Sequence, residues 1–374
     1  MLFNGGERID EATAHAVRAL RAVATAEYDW TRPAGGLDWS CLDTAEHIAG
    51  DFTAYATQLT GRTAGTGVYV PVEAKLDEGT GADGAVWAVE ATAGLLAAVV
   101  RTTPAGVRGW HPYPHGSADA AGFAAMGVIE LILHTHDILR AFDLAYEPPA
   151  ELCEAVLARQ FPQVPPARDG EGHWAVLLWA TGRGERAGHA RLERWRWHNP
   201  IHLAAGPVEL VEVAPDAAAD LAAGGTGGIA WAEGGPSDGT RGAASRVAKA
   251  YAAGTHRPEW GMFAVVRAED QLAVGAAGFH GVPDEEGWAE VGYNLAPAAR
   301  GNGYATQALR ALTDFALAIP DGAAGGDHAD HAGPTGLRAL ADPDNAASHA
   351  VLARAGFTRT ADRGADAAFE LRRP

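Results

Sequence analysis

The run AEVGYNLAPAARGNGYATQAL, residues 289–309, decides the reading of the C-terminal half. WAEVGYNL, residues 288–295, has the β-branched and aromatic character of a strand. Pro297 breaks it, and Gly303 to Ala318 reads as a helix. Between them lies Arg300-Gly301-Asn302-Gly303-Tyr304-Ala305, a glycine-rich turn opening a helix. Free amides at such a terminus, reinforced by the helix dipole, hold an anionic pyrophosphate. Glycines at 301 and 303 let the backbone approach the phosphates, and Arg300 can add a charge-assisted contact.

Outward from this run the strand patterns continue. GPVELVEV, residues 206–213, is a strand and MFAVVRAEDQLAVGAAGF, residues 262–279, a hairpin. TGLRALA, residues 335–341, is another strand, Asn345 to Ala355 a helix stopped at Gly356, and two weaker strand patterns follow. The segment 220–256 carries no recognisable substrate code and reads as a variable loop. DGAAGGDHADHAG, residues 321–333, reads as a flexible loop whose His328 and His331 are solvated rather than metal-bound. The half beyond Pro200 is therefore α/β, with a mixed, mostly antiparallel sheet.

The N-terminal half has another rhythm. Helices are expected over Ile9 to Glu27, over a segment that begins after Asp38-Trp39-Ser40 and runs to about Leu59 with Asp43 and Glu46 as a capping box, over Gly84 to Arg101, and over Ala120 to Phe142. The last has Phe123, Met126, Ile129, Leu133 and Ile138 as its core face. Four long helices imply an all-α four-helix bundle. A short helix, Ala150 to Gln160, a Pro-rich loop and the apolar HWAVLLWATGR, residues 173–183, complete it, and RWRWHNP ends the half. The domain boundaries follow as 1–200 and 201–374.

Within the fourth helix Glu130 and His134 stand i, i+4, with Asp137 on the same side, which puts a carboxylate and an imidazole on one face. His47, in the second helix, can supply a third ligand. Two nitrogens and one oxygen with open positions are the pattern of a catalytic zinc site, though iron or nickel would also accept it. The bland alternative, scattered polar residues of a core or surface, stays open. His136 reads as structural, and His111 and His115 either line a pocket mouth or decorate a loop.

Composition narrows the classes. At 374 residues the chain fits two domains, and 47 acidic against 29 basic residues give a net charge of −18 that repels nucleic acid and anionic membranes. Two cysteines, Cys41 and Cys153, indicate neither a disulfide framework nor a thiolate metal site. No secretion signal and no run approaching 18 uninterrupted apolar residues is read, so a cytoplasmic protein with no membrane partner is expected.

Two resemblances sharpen this. AEVGYNLAPAARGNGYATQAL and DNAASHAVLARAGF, residues 344–357, resemble the fourth strand, Arg-x-x-Gly-x-Ala loop and Asn-x-x-Ser helix of GNAT N-acetyltransferases, in particular the branch acting on ribosomal-protein N-termini. The resemblance implies acetyl-CoA with its pyrophosphate on residues 301–305 and its pantetheine near Asn294 and Leu295. It also implies direct attack by an amine, Glu290 as general base, and Asn345 and Ser348 at the cofactor, with Ser348 as proton donor to its sulfur. Leu352 stands where many relatives have a tyrosine acid. Glu290 also reads as a structural salt bridge, Asn345 as an N-cap and Ser348 as a packing residue.

DWSCLDTAEHIAGDFTAYATQL, residues 38–59, and GVIELILHTHDILRAF, residues 127–142, resemble the DinB-like, mycothiol-dependent maleylpyruvate isomerase family. This implies His47, Glu130 and His134 as metal ligands, Asp137 as their orienter, zinc as the expected metal, and the thiol mycothiol as a candidate cofactor. The combined expectation is an acetyl-CoA-dependent acetyltransferase of a small-molecule or peptide amine, fused to a metal-binding bundle. The alternatives are a mycothiol-dependent isomerase or thiol transferase with the acetyltransferase half accessory, and a bundle that only delivers a partner. Oligomeric state is not readable.

Overall fold

The structure, a computed structural model, describes residues 5–64, 68–104, 107–111, 117–162, 164–193, 195, 197–319 and 333–373. His115, His328 and His331 lie outside the described residues. The chain divides into two compact units, Met1–Asn199 and Pro200–Pro374.

The first unit is helical: α1 (Gly5–Val23), α2 (Cys41–Gly61), α3 (Ala82–Thr102), α4 (Ala120–Arg140), α5 (Ala150–Gln160) and α6 (His173–Ala180). A short antiparallel ladder joins β1 (Arg108–Gly109) to β2 (Ala118–Asp119) just before α4. Helix α1 stops short of Glu27 because the indole of Trp30 donates to the Val23 carbonyl at 2.8 Å and caps it. The capping box of α2 lies one turn earlier than Asp43 and Glu46 suggested. Ser40 is the N-cap, its Oγ accepting from Asp43 N at 3.0 Å while Asp43 Oδ2 accepts from Ser40 N at 3.1 Å. Glu46 instead accepts the amide of Leu76 at 2.9 Å.

Helix α4 also differs from its expected single core face. Every residue from Gly122 to Leu139 is buried except Glu130, since α1, α2, α3 and α5 all pack around it. An all-round apolar helix is the centre of a bundle. Helices α3 and α4 are long and apolar enough to cross a membrane by length and composition. In α4 that apolarity fills the core, whereas α3 buries one face and exposes Trp87 and Leu95 on the other. Gly127 sets the approach of the helices: a Cβ there would meet Leu96 of α3 at 2.8 Å and Phe52 of α2 at 3.0 Å. That contact brings α2 against α4 one turn from Glu130. Cys41 and Cys153 are buried and free, and burial pushes their thiols up to about 11 and about 12, out of the reactive range.

The second unit has β3 (His202–Ala205), β4 (Val208–Glu212), α7 (Pro215–Ala222), α8 (Asp238–Ala252), β5 (Met262–Arg267), β6 (Ala273–Phe279) and β7 (Trp288–Leu295). It continues with α9 (Tyr304–Ala318), β8 (Gly336–Ala341), α10 (Ala346–Arg354), β9 (Thr358–Arg359) and β10 (Ala367–Arg372). The sheet order is β3-β4-β5-β6-β7-β8-β10-β9, and among the described strands only β7 and β8 pair in parallel. Helices α7 and α8 cover one face through Ala218, Leu221, Ala244 and Val247. Helices α9 and α10 cover the other through Leu309, Leu312, Ala316 and Leu352.

Helix α8 occupies much of the segment 220–256 that reads as a loop. Gly239 and Gly242 lower its intrinsic propensity, but Thr240, Ala244 and Val247 are buried at i, i+4 and i+7, and Ser237 caps its first turn. Tertiary packing overrides propensity here.

His256 follows α8, with its ring near Gly261 and no hydrogen-bond partner for Nε2 among the described residues. Burial, helped by the Arg257 charge, lowers it from 6.5 to about 4. Between those values the unfolded chain binds a proton that the folded unit refuses. This unit is therefore expected to be fully stable above pH 6.5 and to lose about 1 kcal/mol per pH unit as pH falls toward 4, after allowance for partial exposure. Chemical denaturation at several pH values would check it, with His256→Gln flattening the slope.

Candidate metal centre and candidate acyl-transfer site

In the helical unit, α2 supplies His47 and α4 supplies Glu130 and His134, and their ligand atoms all lie within 4.8 Å of one another. Glu130 Oε2 is 3.0 Å from His134 Nε2 and 3.5 Å from His47 Nε2. A tetrahedral ion with bonds of roughly 2.0–2.1 Å separates its ligands by about 3.4 Å. The two separations that involve Glu130 bracket this value, so the donor types and spacing fit a small divalent ion.

The surroundings hold the donors in place. Asp137 Oδ2 lies 3.1 Å from His134 Nδ1, which leaves Nε2 free to face the centre. Arg183 grips the other side of Asp137, its Nε 3.0 Å from Oδ1 and its Nη2 2.7 Å from Oδ2. Trp39, 45% exposed, packs its ring 4.8 Å from that of His47 and forms an apolar wall at the mouth. Burial alone would raise Glu130, yet hydrogen bonds with His134 and His47 hold it below the usual carboxylate range. Burial alone would lower His134, yet Asp137 and Glu130 carry it up to about 9. The centre thus concentrates negative charge around two imidazoles, the electrostatics that a dication neutralises.

Asp51 is a carboxylate beside these donors that the sequence reading missed. Its Oδ2 is 3.4 Å from His47 Nε2 and 3.4 Å from the Tyr55 hydroxyl, and burial together with the Glu130 charge raises it to about 7. The signal was available, since His47 and Asp51 repeat on α2 the i, i+4 spacing of Glu130 and His134 on α4. Arg183 was missed as well. His136 is buried against the Trp174 ring, at 5.4 Å, and takes no part in the centre. His111 is buried in an aromatic cluster with Tyr55, Tyr69, Phe123 and Trp197.

Replacing Arg183 by alanine is expected to loosen Asp137 and weaken zinc binding roughly 10–100-fold. Competition with a chromogenic chelator measures this. An unchanged affinity would detach Arg183 from the centre.

In the α/β unit, β7 pairs with β8 only through Trp288–Gly336, Ala289–Leu337 and Glu290–Arg338, while its pairing with β6 continues to Leu295. A gap therefore opens beyond Glu290. The bonds His280 N to Glu290 O and Ala296 N to Val274 O fix the antiparallel alternation, so the amides of Tyr293 and Leu295 point into the gap. Asn294 ties β7 to α8, its Oδ1 accepting from Ser237 Oγ and Thr240 Oγ1 at 2.8 Å each.

At the far end of β7 the glycine-rich turn runs into α9. Gly301 and Gly303 have φ of +82° and +78°, and a Cβ at either would meet open space. The positive φ, rather than crowding, is what demands glycine. Among the described residues no acceptor takes the amides of Gly301, Asn302 or Gly303. Tyr304 and Ala305 form the first turn of α9, while Arg300 turns back to donate to the Leu295 carbonyl at 3.2 Å. The cradle is backbone, and the exposed Arg300 side chain is directed at the Leu295 carbonyl instead.

Asn345 is the N-cap of α10, accepting from Ser348 N at 3.0 Å. Ser348 Oγ is 2.7 Å from the Tyr293 hydroxyl, a phenol the sequence reading did not single out. Leu352 is buried in the core. Among the described residues Glu290 forms no ion pair with a lysine or arginine, though Arg338 and Arg246 are near enough to act on its charge. Its Oε1 lies 2.5 Å from Nδ1 of His280, the residue following β6, and that hydrogen bond lowers the carboxyl below its ordinary value.

These arrangements define an α/β acyl-transfer scaffold and a helical bundle with a metal-type donor set, and comparison with known proteins supplies the families. Residues 208–358 match the family described as acetyltransferase (GNAT) domain, and residues 11–139 match the mycothiol maleylpyruvate isomerase N-terminal domain. The chain thus carries a GNAT acetyltransferase domain and an N-terminal domain of the maleylpyruvate isomerase type. No curated protein matches the chain. Among solved structures it is similar to an acetyltransferase from Agrobacterium tumefaciens, at 20% identity, 49% of this chain, 99% of that one and a TM-score of 0.30. It is also similar to a ribosomal-protein-S5-alanine acetyltransferase from Vibrio fischeri, at 14% identity, 46% of this chain, 97% of that one and a TM-score of 0.33.

Proposed function

We propose that the C-terminal unit transfers the acetyl group of acetyl-CoA to the nitrogen of a small-molecule or peptide amine. The observation that carries this is the gap between β7 and β8 leading to the unsatisfied amides of Gly301, Asn302 and Gly303. A pyrophosphate fits that helix N-terminus, and a pantetheine amide chain fits the amides of Tyr293 and Leu295. In this reading the amine loses a proton at the Glu290 end of the gap and attacks the thioester carbonyl. The C–S bond then breaks and Ser348, backed by Tyr293, protonates the departing thiolate.

In the helical unit His47, Glu130 and His134 would hold a divalent ion, zinc by donor type, with Asp51 beside it. Such an ion would supply Lewis-acid polarisation of a bound water or thiol, mycothiol being the thiol the family name suggests. The three-residue donor set, which leaves a position for water or a thiol, favours a second reading in which this centre performs a thiol-dependent isomerisation or transfer of its own.

The experiment is turnover of acetyl-CoA with N-terminally free peptides, an aminoglycoside and a polyamine, read as thiol release, in metal-replete and metal-stripped protein. Thiol release that requires an amine supports the acetyltransferase reading. Its absence with every amine, with mycothiol-dependent activity that disappears on metal removal, would move the function to the bundle.

A further inference from the structure

His280 and Glu290 are directly opposed across the antiparallel pair β6 and β7, so their side chains project from the same face of the sheet. That face is the one α8 covers, as Asn294, four residues beyond Glu290, bonds Ser237 and Thr240 there. Glu290 Oε1 sits 2.5 Å from His280 Nδ1, which leaves Nε2 as the other working atom of the ring. Nε2 lies over Gly292: a Cβ on that glycine would stand 3.0 Å from it. Gly292 is the residue between Glu290 and Asn294 on this face of β7, at the point where β8 has departed and the gap begins. A carboxylate behind the ring and, among the described residues, an unbonded nitrogen ahead of it form an orienter and a base, and the absent side chain at 292 makes room for the ring itself.

Resting on the acetyl-transfer reading, we infer that His280 Nε2 is the atom that takes the proton from the acceptor amine, and that Glu290 is a positioning residue acting through it. The ammonium form of the amine gives one proton to Nε2. Its freed lone pair forms the C–N bond at the thioester carbonyl, and the tetrahedral adduct breaks its C–S bond. Ser348 protonates the thiolate to coenzyme A thiol and is reprotonated by the second nitrogen proton, the amide keeps the third, and His280 returns its proton to water. Glu290 keeps Nδ1 protonated and stabilises the imidazolium between these events. A lone carboxylate base at Glu290 would have to reach the amine past the ring that already occupies its Oε1.

The test compares wild type, His280→Gln and Glu290→Gln, with a peptide of free N-terminus or whichever amine of the panel turns over. Acetyl-CoA binding is followed by titration and kcat/KM as a function of pH. His280→Gln is expected to keep acetyl-CoA affinity, to lower kcat/KM about 10²–10⁴-fold at neutral pH, and to lose the limb that reports protonation of the base. Added imidazole should restore part of the rate, which a purely structural histidine would not allow. The charges facing this pair are Arg246 on α8 and Arg338 on β8, with Asp284 of the β6–β7 turn on Arg338, and all are retained in the variants. A His280→Gln enzyme with wild-type kcat/KM and an unchanged limb, while Glu290→Gln removes both, would overturn the inference and leave acetyl transfer standing. A wild-type protein that does not bind acetyl-CoA would overturn both.

Discussion

Substituting Glu130 by glutamine is expected to strip metal from the helical unit. Glu130 Oε2 lies between both imidazole nitrogens and is the anionic member of the triad, so its loss removes a ligand and the charge that balances the ion. The affinity should fall by more than the roughly 10–100-fold that a supporting residue is worth. Elemental analysis after dialysis against a mild chelator reads this directly: about one equivalent in wild type and a small fraction in the variant. Equal retention in both would move the metal elsewhere or remove it from the account. Asp51→Asn gives the companion result. Metal content is expected to stay and affinity to change little, since Asp51 lies beside the triad; a loss approaching that of Glu130 would make it a ligand.

Gly303→Asp is expected to abolish acetyl-CoA binding at ordinary concentrations. At φ +78° a side chain costs about 1–2 kcal/mol, less for aspartate than for most residues. The larger effect is electrostatic. A carboxylate placed about 4 Å from a phosphate repels it by roughly 1–4 kcal/mol, depending on solvent exposure. Together these predict a Kd raised about 10²–10³-fold by titration calorimetry. Gly303→Ala should lose only the conformational part, about tenfold. Equal losses in the two variants would place the damage in the backbone alone.

Much of this was legible because it is local. The i, i+4 pair Glu130 and His134, the glycine-rich turn before a helix and the strand patterns around it are each written within one or two turns of chain. Asp51 was equally legible by the same spacing rule. What escaped was set by register or distance. Arg183 reaches Asp137 across 46 positions, and His280 meets Glu290 only because β6 and β7 pair with one particular offset. Tyr293 meets Ser348 across 55 positions for the same reason. Helix α8 escaped through its glycines, and the all-round burial of α4 through the number of helices packed on it, neither of which periodicity reports.

The three-residue splice between β7 and β8 has a consequence for measurement. On the β8 side, the amides of Tyr293 and Leu295 have no strand to protect them, although they sit mid-sheet. In hydrogen–deuterium exchange they should behave like loop positions in the free protein and like strand positions once a linear amide ligand completes the ladder. Two backbone amides thereby become an occupancy gauge for the gap, readable with no knowledge of the acceptor amine and no catalytic turnover.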